Sequence, residues 1–157
     1  MDVAPRDGEA DVAGQPGSGP TSAPRPQPPK RPVHEREGLR FGIDIDGTIA
    51  QAPRHFRRLI DALLHNGNQV YIVTGRRELS RRETESLLVS LHIRYTELIM
   101  RPDAWLATVA DFKVQVARQK DLHLFIDDDE ENCWAINKET EVLAAHMLPF
   151  PETHEAP

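Results

Sequence analysis

From residue 39 onward, short apolar runs alternate with stretches whose apolar residues recur at the helical period. The clearest helix carries one apolar face at spacings i, i+3, i+4, i+7 and i+8, formed by Phe56, Leu59, Ile60, Leu63 and Leu64. A glycine follows this face at position 67, where helices commonly end. The pattern therefore predicts an amphipathic helix that covers one face of a sheet.

Five short apolar runs are predicted to be strands, over residues 39–45, 69–73, 98–100, 122–126 and 141–146. Further helices are predicted between them. One begins at a capping box formed by Ser80 and Glu83, one at Pro102-Asp103 with Trp105, Val109, Phe112 and Val116 behind it, and one lies around Trp134 and Ile136. Trp105 and Trp134 are predicted to pack between helices and sheet, and Cys133 to be a buried structural thiol. Strands that alternate with helices indicate an α/β fold, a Rossmann-like three-layer sandwich with a mainly parallel five-stranded sheet.

The amino-terminal part of the chain has a different composition. Eight of the 13 prolines lie between Pro5 and Pro32, and large apolar residues are scarce there. Such a segment cannot bury enough surface to offset the entropy of ordering. We therefore predict a disordered tail over residues 1–38, one domain over 39–148 and a frayed terminus over 149–157.

Charge and cysteine content narrow the class of protein. The chain has no secretory signal pattern and no apolar stretch long enough to cross a membrane, and its single cysteine, Cys133, excludes an internal disulfide. We expect a cytoplasmic protein without a membrane partner. The net charge of −6 argues against non-specific binding to nucleic acid, although Arg76, Arg77, Arg81 and Arg82 could meet an anion.

Carboxylates directly follow the first predicted strand. Asp44 and Asp46 flank Ile45, and Gly47 and Thr48 come next. Residues i and i+2 of an extended chain point to the same side, and a glycine then permits a sharp turn. Two close carboxylates repel, so one of them holds a proton unless a cation lies between them. The pair suits either a nucleophile beside a general acid or a metal site.

Three further groups carry phosphate or metal chemistry. Thr74, Gly75 and Arg76 follow the second strand, where a hydroxyl and backbone N–H groups can bind phosphoryl oxygens. Three aspartates at 127–129 follow the fourth strand and offer hard oxygen ligands for Mg²⁺. Lys113, in the preceding helix, can neutralise a transferring phosphoryl group. Ligands of such sheets bind at the carboxyl ends of the strands, so we expect these groups to lie together.

Each of these groups has an ordinary structural explanation when it is taken alone. An acidic pair is often only a turn, a run of aspartates is commonly exposed surface or a helix N-cap, and a lysine is usually surface charge. Their order along the chain favours the functional interpretation, because all four fall where an α/β site is expected.

The four motifs together resemble those of the haloacid dehalogenase superfamily of phosphatases. That family has an apolar strand ending in DxDGT, a second strand ending in Thr or Ser, then a lysine, then a strand ending in two aspartates. The corresponding segments of this chain follow in the same order: residues 41–48, residues 71–76, Lys113 and residues 124–128. Response-regulator receivers use similar residues, but their acidic pair precedes the phosphoacceptor.

The resemblance implies a catalytic role for each matching position. Asp44 would be the nucleophile that becomes an aspartyl phosphate, and Asp46 the general acid and then base. Thr74 and Lys113 would bind the phosphoryl group and balance its charge. The positions implied to bind phosphate are Gly47, Thr48, Thr74, Gly75, Arg76 and Lys113.

The same resemblance implies a Mg²⁺ site. The Asp44 carboxylate and the backbone carbonyl of Asp46 would bind the ion, together with Asp127 and Asp128. Asp129 is a further candidate, so which of the three consecutive aspartates binds directly is open.

The spacing of the motifs leaves no room for a cap domain. Within the family, a capless and therefore open site goes with a bulky phosphorylated substrate or with a neighbouring subunit as the lid, so a homo-oligomer is an open alternative. Met100-Arg101 and the lysine-bearing helix are similar to the phosphatase module of polynucleotide kinase/3′-phosphatases. A nucleic-acid end is therefore one candidate substrate, besides nucleotides and sugar phosphates. The predicted activity is phosphomonoester hydrolysis, with a phosphotransferase and a non-catalytic phospho-ligand-binding protein as alternatives.

Overall fold

The computed structural model describes residues 38–149, in which five strands and four α-helices alternate. The predicted tail and almost all of the predicted frayed terminus lie outside these residues. The elements are β1 Arg40–Ile43, α1 Pro53–His65, β2 Gln69–Arg77, α2 Arg81–Ser90, β3 Glu97–Arg101, α3 Val109–Gln119, β4 Leu124–Asp127, α4 Glu130–Glu139 and β5 Leu143–His146.

The five strands form one sheet in the order β3-β2-β1-β4-β5, and every neighbouring pair is parallel. Successive residues of β2 point to opposite faces, as the strand geometry requires. Val70 and Ile72 pack in the core shared with α1 and α2, whereas Tyr71 and Val73 pack in the core shared with α3 and α4. This three-layer α/β sandwich confirms the predicted fold class. Residues 38–149 hold no additional domain between the strands.

The register brings the carboxyl ends of the central strands together. Ile43 of β1 is paired with Ile72 of β2 and with Ile126 of β4. The residues that follow these positions, Asp44 and Asp127 among them, therefore emerge side by side at one edge of the sheet. The bounds differ from the predicted ones, because β1 ends at Ile43 and β2 continues through the Thr74-Gly75-Arg76 segment to Arg77.

One predicted helix start is wrong, and at a second helix, which begins after Ser80 as predicted, the capping bond does not form. Pro102 and Asp103 do not open α3, which begins at Val109. Its capping box is formed by Thr108 and Asp111, each side chain accepting a hydrogen bond from the backbone of the other. Ser80 makes no capping hydrogen bond at α2, because its hydroxyl donates to the carbonyl of Arg77 instead. A local side-chain bond to the backbone has outcompeted the cap.

The two tryptophans differ in their packing. Trp105 lies in the loop before α3 and packs edge-to-face on Phe112, as expected of a residue beside the sheet. Trp134, predicted to pack between helix and sheet, is 61% exposed on the outer face of α4, where Lys138 lies over its ring. Cys133 is buried, as predicted for a structural thiol. None of the described helices is both long and apolar enough to span a membrane.

Candidate active site

The loop after β1 separates the two carboxylates in their exposure. Residues Ile45–Ile49 form one wide turn in which Gly47 has a φ of 76°. Asp44 is buried, whereas the side chain of Asp46 is 56% exposed. Both nevertheless line one cavity of about 210 Å³ at the carboxyl edge of the sheet. The loop thus presents one carboxylate from below this cavity and one at its mouth.

A buried lysine bridges two of the predicted site carboxylates. The Lys113 ammonium donates to Oδ1 of Asp44 at 2.8 Å and to Oδ2 of Asp127 at 2.7 Å. The Lys113 side chain is only 3% exposed and that of Asp127 is fully buried. Buried charges of this kind persist only when they are paired. The lysine of α3 therefore connects the ends of β1 and β4.

The pKa values in this cluster reflect burial together with the paired charges. The pKa of Asp44 is raised from 3.8 to about 7, mainly by burial and also by the charge of Asp127, against the attraction of Lys113. Burial alone would lower the pKa of Lys113, but the charges of Asp44 and Asp127 outweigh it and raise that pKa. The sequence attributed a raised pKa to repulsion between Asp44 and Asp46, whereas burial and Asp127 are its causes here.

Oxygen ligands suited to a dication meet beside this lysine. Carboxylate oxygens of Asp44, Asp127 and Asp128 lie within 4.8 Å of one another. With all three ionised, these carboxylates and the single ammonium of Lys113 carry a formal charge of −2, which a divalent ion would neutralise. The residues therefore fit the hard, carboxylate-rich site that Mg²⁺ prefers.

Asp128, the third candidate metal ligand, is held by the turn after β1, which contains Gly47 and Thr48. Thr48, itself buried, donates through its hydroxyl to Oδ1 of Asp128 at 3.1 Å. The Asp128 carboxylate packs so closely over Gly47 that a Cβ there would lie 1.9 Å from Oδ2. Gly47 and Thr48 are not among the residues that line the cavity, so they act on the site through Asp128 in this structure.

Gly47→Ala is expected to lower the free energy of unfolding by about 2–4 kcal/mol, because it combines backbone strain with displacement of a packed side chain. Gly67→Ala is a matched control, since Gly67 has the same φ of 76° and nothing within 4 Å of its added Cβ. In the control the free energy of unfolding should fall only by the cost of the backbone strain, about 1–2 kcal/mol. Urea unfolding measures both, and Mg²⁺ titration should show weaker binding for Gly47→Ala alone. Equal losses in the two variants would contradict this account of Asp128.

The segment at the end of β2 contributes an arginine and a buried hydroxyl. Arg76 donates from Nε to Oδ2 of Asp46 at 2.8 Å and from Nη2 to Oδ1 at 2.5 Å. Gly75 and Arg76 line the cavity, whereas Thr74 is fully buried and its hydroxyl accepts from the backbone N–H of Arg76 at 3.2 Å. Gly75 lies against Val109, whose Cγ1 would be 3.0 Å from an added Cβ.

The three consecutive aspartates have three different environments. Asp127 accepts from Lys113 and from the backbone N–H of Asp129. Asp128 reaches the turn after β1. Asp129 is the N-cap of α4, where its side chain accepts from the N–H groups of Glu131 and Asn132, and it is exposed. The ordinary N-cap explanation therefore holds for Asp129 alone.

Two contributors were missed in the sequence. Asn132 is buried, lines the cavity and donates through Nδ2 to Oδ2 of Asp127 at 3.2 Å. His146, at the end of β5, places Nε2 2.9 Å from the carbonyl oxygen of Asp128. The spacing of Asn132 one helical turn after the aspartates was a usable signal. The sequence position of His146 gave no such signal, because only the pairing of β5 with β4 brings His146 close to Asp128.

Comparisons with known proteins support the fold, through solved structures of low sequence identity. No protein-family model and no curated protein matches this sequence. Among solved structures, a chain in the structure of the Pnkp1/Rnl/Hen1 RNA repair complex has a TM-score of 0.62 at 16% identity, covering 71% of this chain and 43% of that one. A chain in a structure of the Pnkp1/Rnl/Hen1 complex gives the same TM-score and identity over 71% and 46%. This chain spans less than half the length of either, and at this identity the likeness concerns the fold alone.

Proposed function

We propose that this protein is a Mg²⁺-dependent phosphomonoesterase that forms a phosphoaspartyl intermediate on Asp44. The observation that carries the proposal is the buried bridge from Lys113 to Asp44 and Asp127, with Asp128 completing a carboxylate set of formal charge −2 around one ammonium. An ion pair that serves only the fold does not need a third carboxylate, whereas a site that binds a divalent cation does.

The first proposed step transfers the phosphoryl group to Asp44. A carboxylate oxygen of Asp44 attacks phosphorus while the bond between phosphorus and the leaving oxygen breaks. Asp46 donates a proton to that leaving oxygen, so the product leaves as a neutral alcohol. Lys113 compensates the negative charge that Asp44 and the transferring group would otherwise bring together in a buried place.

The second proposed step regenerates the carboxylate. Asp46, now ionised, takes a proton from a water molecule whose oxygen attacks the phosphorus of the aspartyl phosphate. The bond between phosphorus and the Asp44 oxygen breaks, and inorganic phosphate leaves. The partial exposure of Asp46 agrees with this role, because both water and the leaving group reach the site from its side.

Asp44 and Asp128 would bind Mg²⁺ directly, with the backbone carbonyl of Asp46 and with Asp127 as further ligands. The bound ion would neutralise negative charge on the phosphoryl oxygens and on Asp44. Asp127 is the weakest of these candidates for direct binding, because its Oδ2 already accepts from both Lys113 and Asn132.

A nucleic-acid end is a second, narrower proposal for the substrate. The fold is similar to a chain in the structure of an RNA repair complex. Arg77 and Arg101 are partners in the register of β2 and β3, and they are the last residues of these strands, at the carboxyl ends of the sheet. The open mouth of the site, with Asp46 exposed, would admit the end of a long polymer.

Hydrolysis of 4-nitrophenyl phosphate with Mg²⁺ and with EDTA tests the activity. We expect turnover that EDTA abolishes, and a loss of about 10²–10⁴-fold in Asp46→Asn. The loss should be larger for an alkyl phosphate than for the nitrophenyl ester, whose leaving oxygen needs less help from an acid. An added alcohol that becomes phosphorylated would instead show a phosphotransferase. Phosphate binding without turnover of any ester would indicate the non-catalytic alternative.

A further inference from the structure

The exposed carboxylate of the site is fully engaged by one arginine. Arg76 and Asp46 form a two-bond pair in which each carboxylate oxygen accepts one N–H, at 2.8 and 2.5 Å. Their side chains are 28% and 56% exposed, so solvent reaches the pair. Both residues line the cavity that Asp44 and Lys113 also line. The pair therefore forms a solvent-exposed part of the cavity into which the nucleophile opens.

This arrangement is incompatible with the proposed work of Asp46. A planar guanidinium that pairs with both oxygens fixes the orientation of the carboxylate towards itself. Delivery of a proton to a leaving oxygen requires one of those oxygens to face the substrate instead. The pair must open in every catalytic cycle. The two-bond geometry makes this pair stronger than an ordinary surface pair, but solvent reaches it, so a competing anion can draw the guanidinium away.

Two further arginines lie near Arg76 at the ends of β2 and β3. Arg77 follows it in β2, and the register places Arg101 of β3 beside Arg77. Nη1 of Arg77 donates to the backbone carbonyl of Asp103 at 2.7 Å, a bond that does not cancel the charge of the guanidinium. Nε of Arg101 is buried and has no hydrogen-bond partner among the described residues. Of these three arginines, Arg76 lines the cavity, and it does so paired with Asp46, so an anion that meets Arg76 there lies beside Asp46.

We infer that Arg76 positions Asp46 and sets substrate specificity: it holds Asp46 in a resting orientation and releases it to a substrate whose leaving group carries a second anion. This inference rests on the proposed function and narrows it. The preferred substrates are phosphomonoesters with a phosphate, phosphodiester or carboxylate close to the scissile group. An ester without that second anion leaves Arg76 on Asp46 and is turned over slowly.

A matched pair of substrates tests the inference by steady-state kinetics on the full chain with Mg²⁺. 3-Carboxyphenyl phosphate carries the second anion, and 3-carbamoylphenyl phosphate has the same shape without the charge. The wild type should favour the carboxy ester by about tenfold in kcat/KM, the worth of one charge-assisted pair. Arg76→Gln should reduce that preference to below about twofold. Arg76→Lys should retain part of it, because the lysine ammonium keeps the positive charge but lacks the planar two-bond geometry of the guanidinium.

Arg94→Gln provides a control for net charge. Arg94 is 72% exposed, lies in the loop before β3 and pairs only with Asp61 among the described residues, at 3.7 Å. This variant should keep the wild-type preference. A preference that survives in Arg76→Gln, or that disappears equally in Arg94→Gln, would overturn the inference. An equal loss on both esters in Arg76→Gln would also overturn it, because Arg76 would then act on the scissile phosphoryl group itself.

A binding measurement separates this inference from the proposed function. In the Asp44→Asn background, calorimetric titration with each ester needs no turnover. Adding Asp46→Asn frees Arg76, so affinity for the carboxy ester should rise several-fold more than affinity for the carbamoyl ester. Adding Arg76→Gln as well should remove that difference. If Asp46→Asn still raises the affinity for the carboxy ester more than that for the carbamoyl ester when Arg76 is replaced, the inference fails, whatever the enzymatic activity of the wild type. If the wild type hydrolyses no ester while the binding cycle behaves as stated, only the proposed chemistry fails.

Discussion

Asp44→Asn is expected to reduce turnover of any phosphomonoester by about 10⁴-fold or more, the scale found when an enzyme loses its nucleophile. An amide oxygen is a poor nucleophile towards phosphorus, and the substitution also removes one of the three carboxylates around Lys113. The measurement is phosphate release from 4-nitrophenyl phosphate with Mg²⁺, followed long enough to detect residual activity. Trapping of acid-stable and base-labile phosphate on the wild type alone would locate the intermediate.

The same variant should be more stable than the wild type when no metal is bound. The pKa of Asp44 is raised from 3.8 to about 7 in the folded protein. A raised carboxyl pKa means that stability is greatest below about pH 4 and is lost as the pH rises through about 7. Asp44→Asn carries no such charge, so its melting temperature in EDTA should exceed that of the wild type near pH 8 and approach it near pH 5. An inactive variant that is also less stable at both pH values would point to misfolding rather than to a lost nucleophile.

The fold could be predicted because its signals are local and repeated. Each strand contains a short apolar run, and the apolar face predicted for α1 packs against the sheet through Phe56 and Ile60, although Leu59 of the same face is 41% exposed. The parallel arrangement then follows from strands that alternate with helices, and it brings the ends of β1 and β4 to one edge. The sequence therefore predicts that Asp44, Lys113 and Asp127 lie together, although Lys113 is 69 residues from Asp44 and 14 residues from Asp127 along the chain.

What could not be predicted depends on which of several partners a polar side chain takes. Ser80 had the spacing of a capping residue, yet its hydroxyl donates to Arg77. Arg76 had the position of a phosphate ligand, and it pairs with Asp46 across the loop after β1. Trp134 has a large apolar side chain of the kind expected in a core, but it lies exposed on the outer face of α4. These choices are decided by distances between elements, which periodicity and spacing do not contain.

Lys113→Met is expected to lower the free energy of unfolding in EDTA by about 3–5 kcal/mol near pH 8, the cost of leaving buried charges without their partner. Methionine keeps much of the volume in α3 but donates no hydrogen bond. Lys120→Met is a control at the end of the same helix. Lys120 pairs with Glu97 at 2.6 Å, but both side chains are partly exposed, so its loss should cost no more than about 1 kcal/mol.

The pH dependence of the Lys113→Met variant distinguishes lost charge from lost packing. Attraction to Lys113 is the main influence that lowers the pKa of Asp44 against burial. Its removal raises that pKa further, so the variant should be damaged less near pH 5, where Asp44 binds a proton, than near pH 8. Mg²⁺ should recover part of the loss at the higher pH, because it supplies positive charge to the same carboxylates, and adding Asp44→Asn should recover part of it without metal. A penalty that is the same at both pH values and is unaffected by metal would mean that Lys113 serves only as packing, and the charge argument for a metal and phosphate site would fail with it.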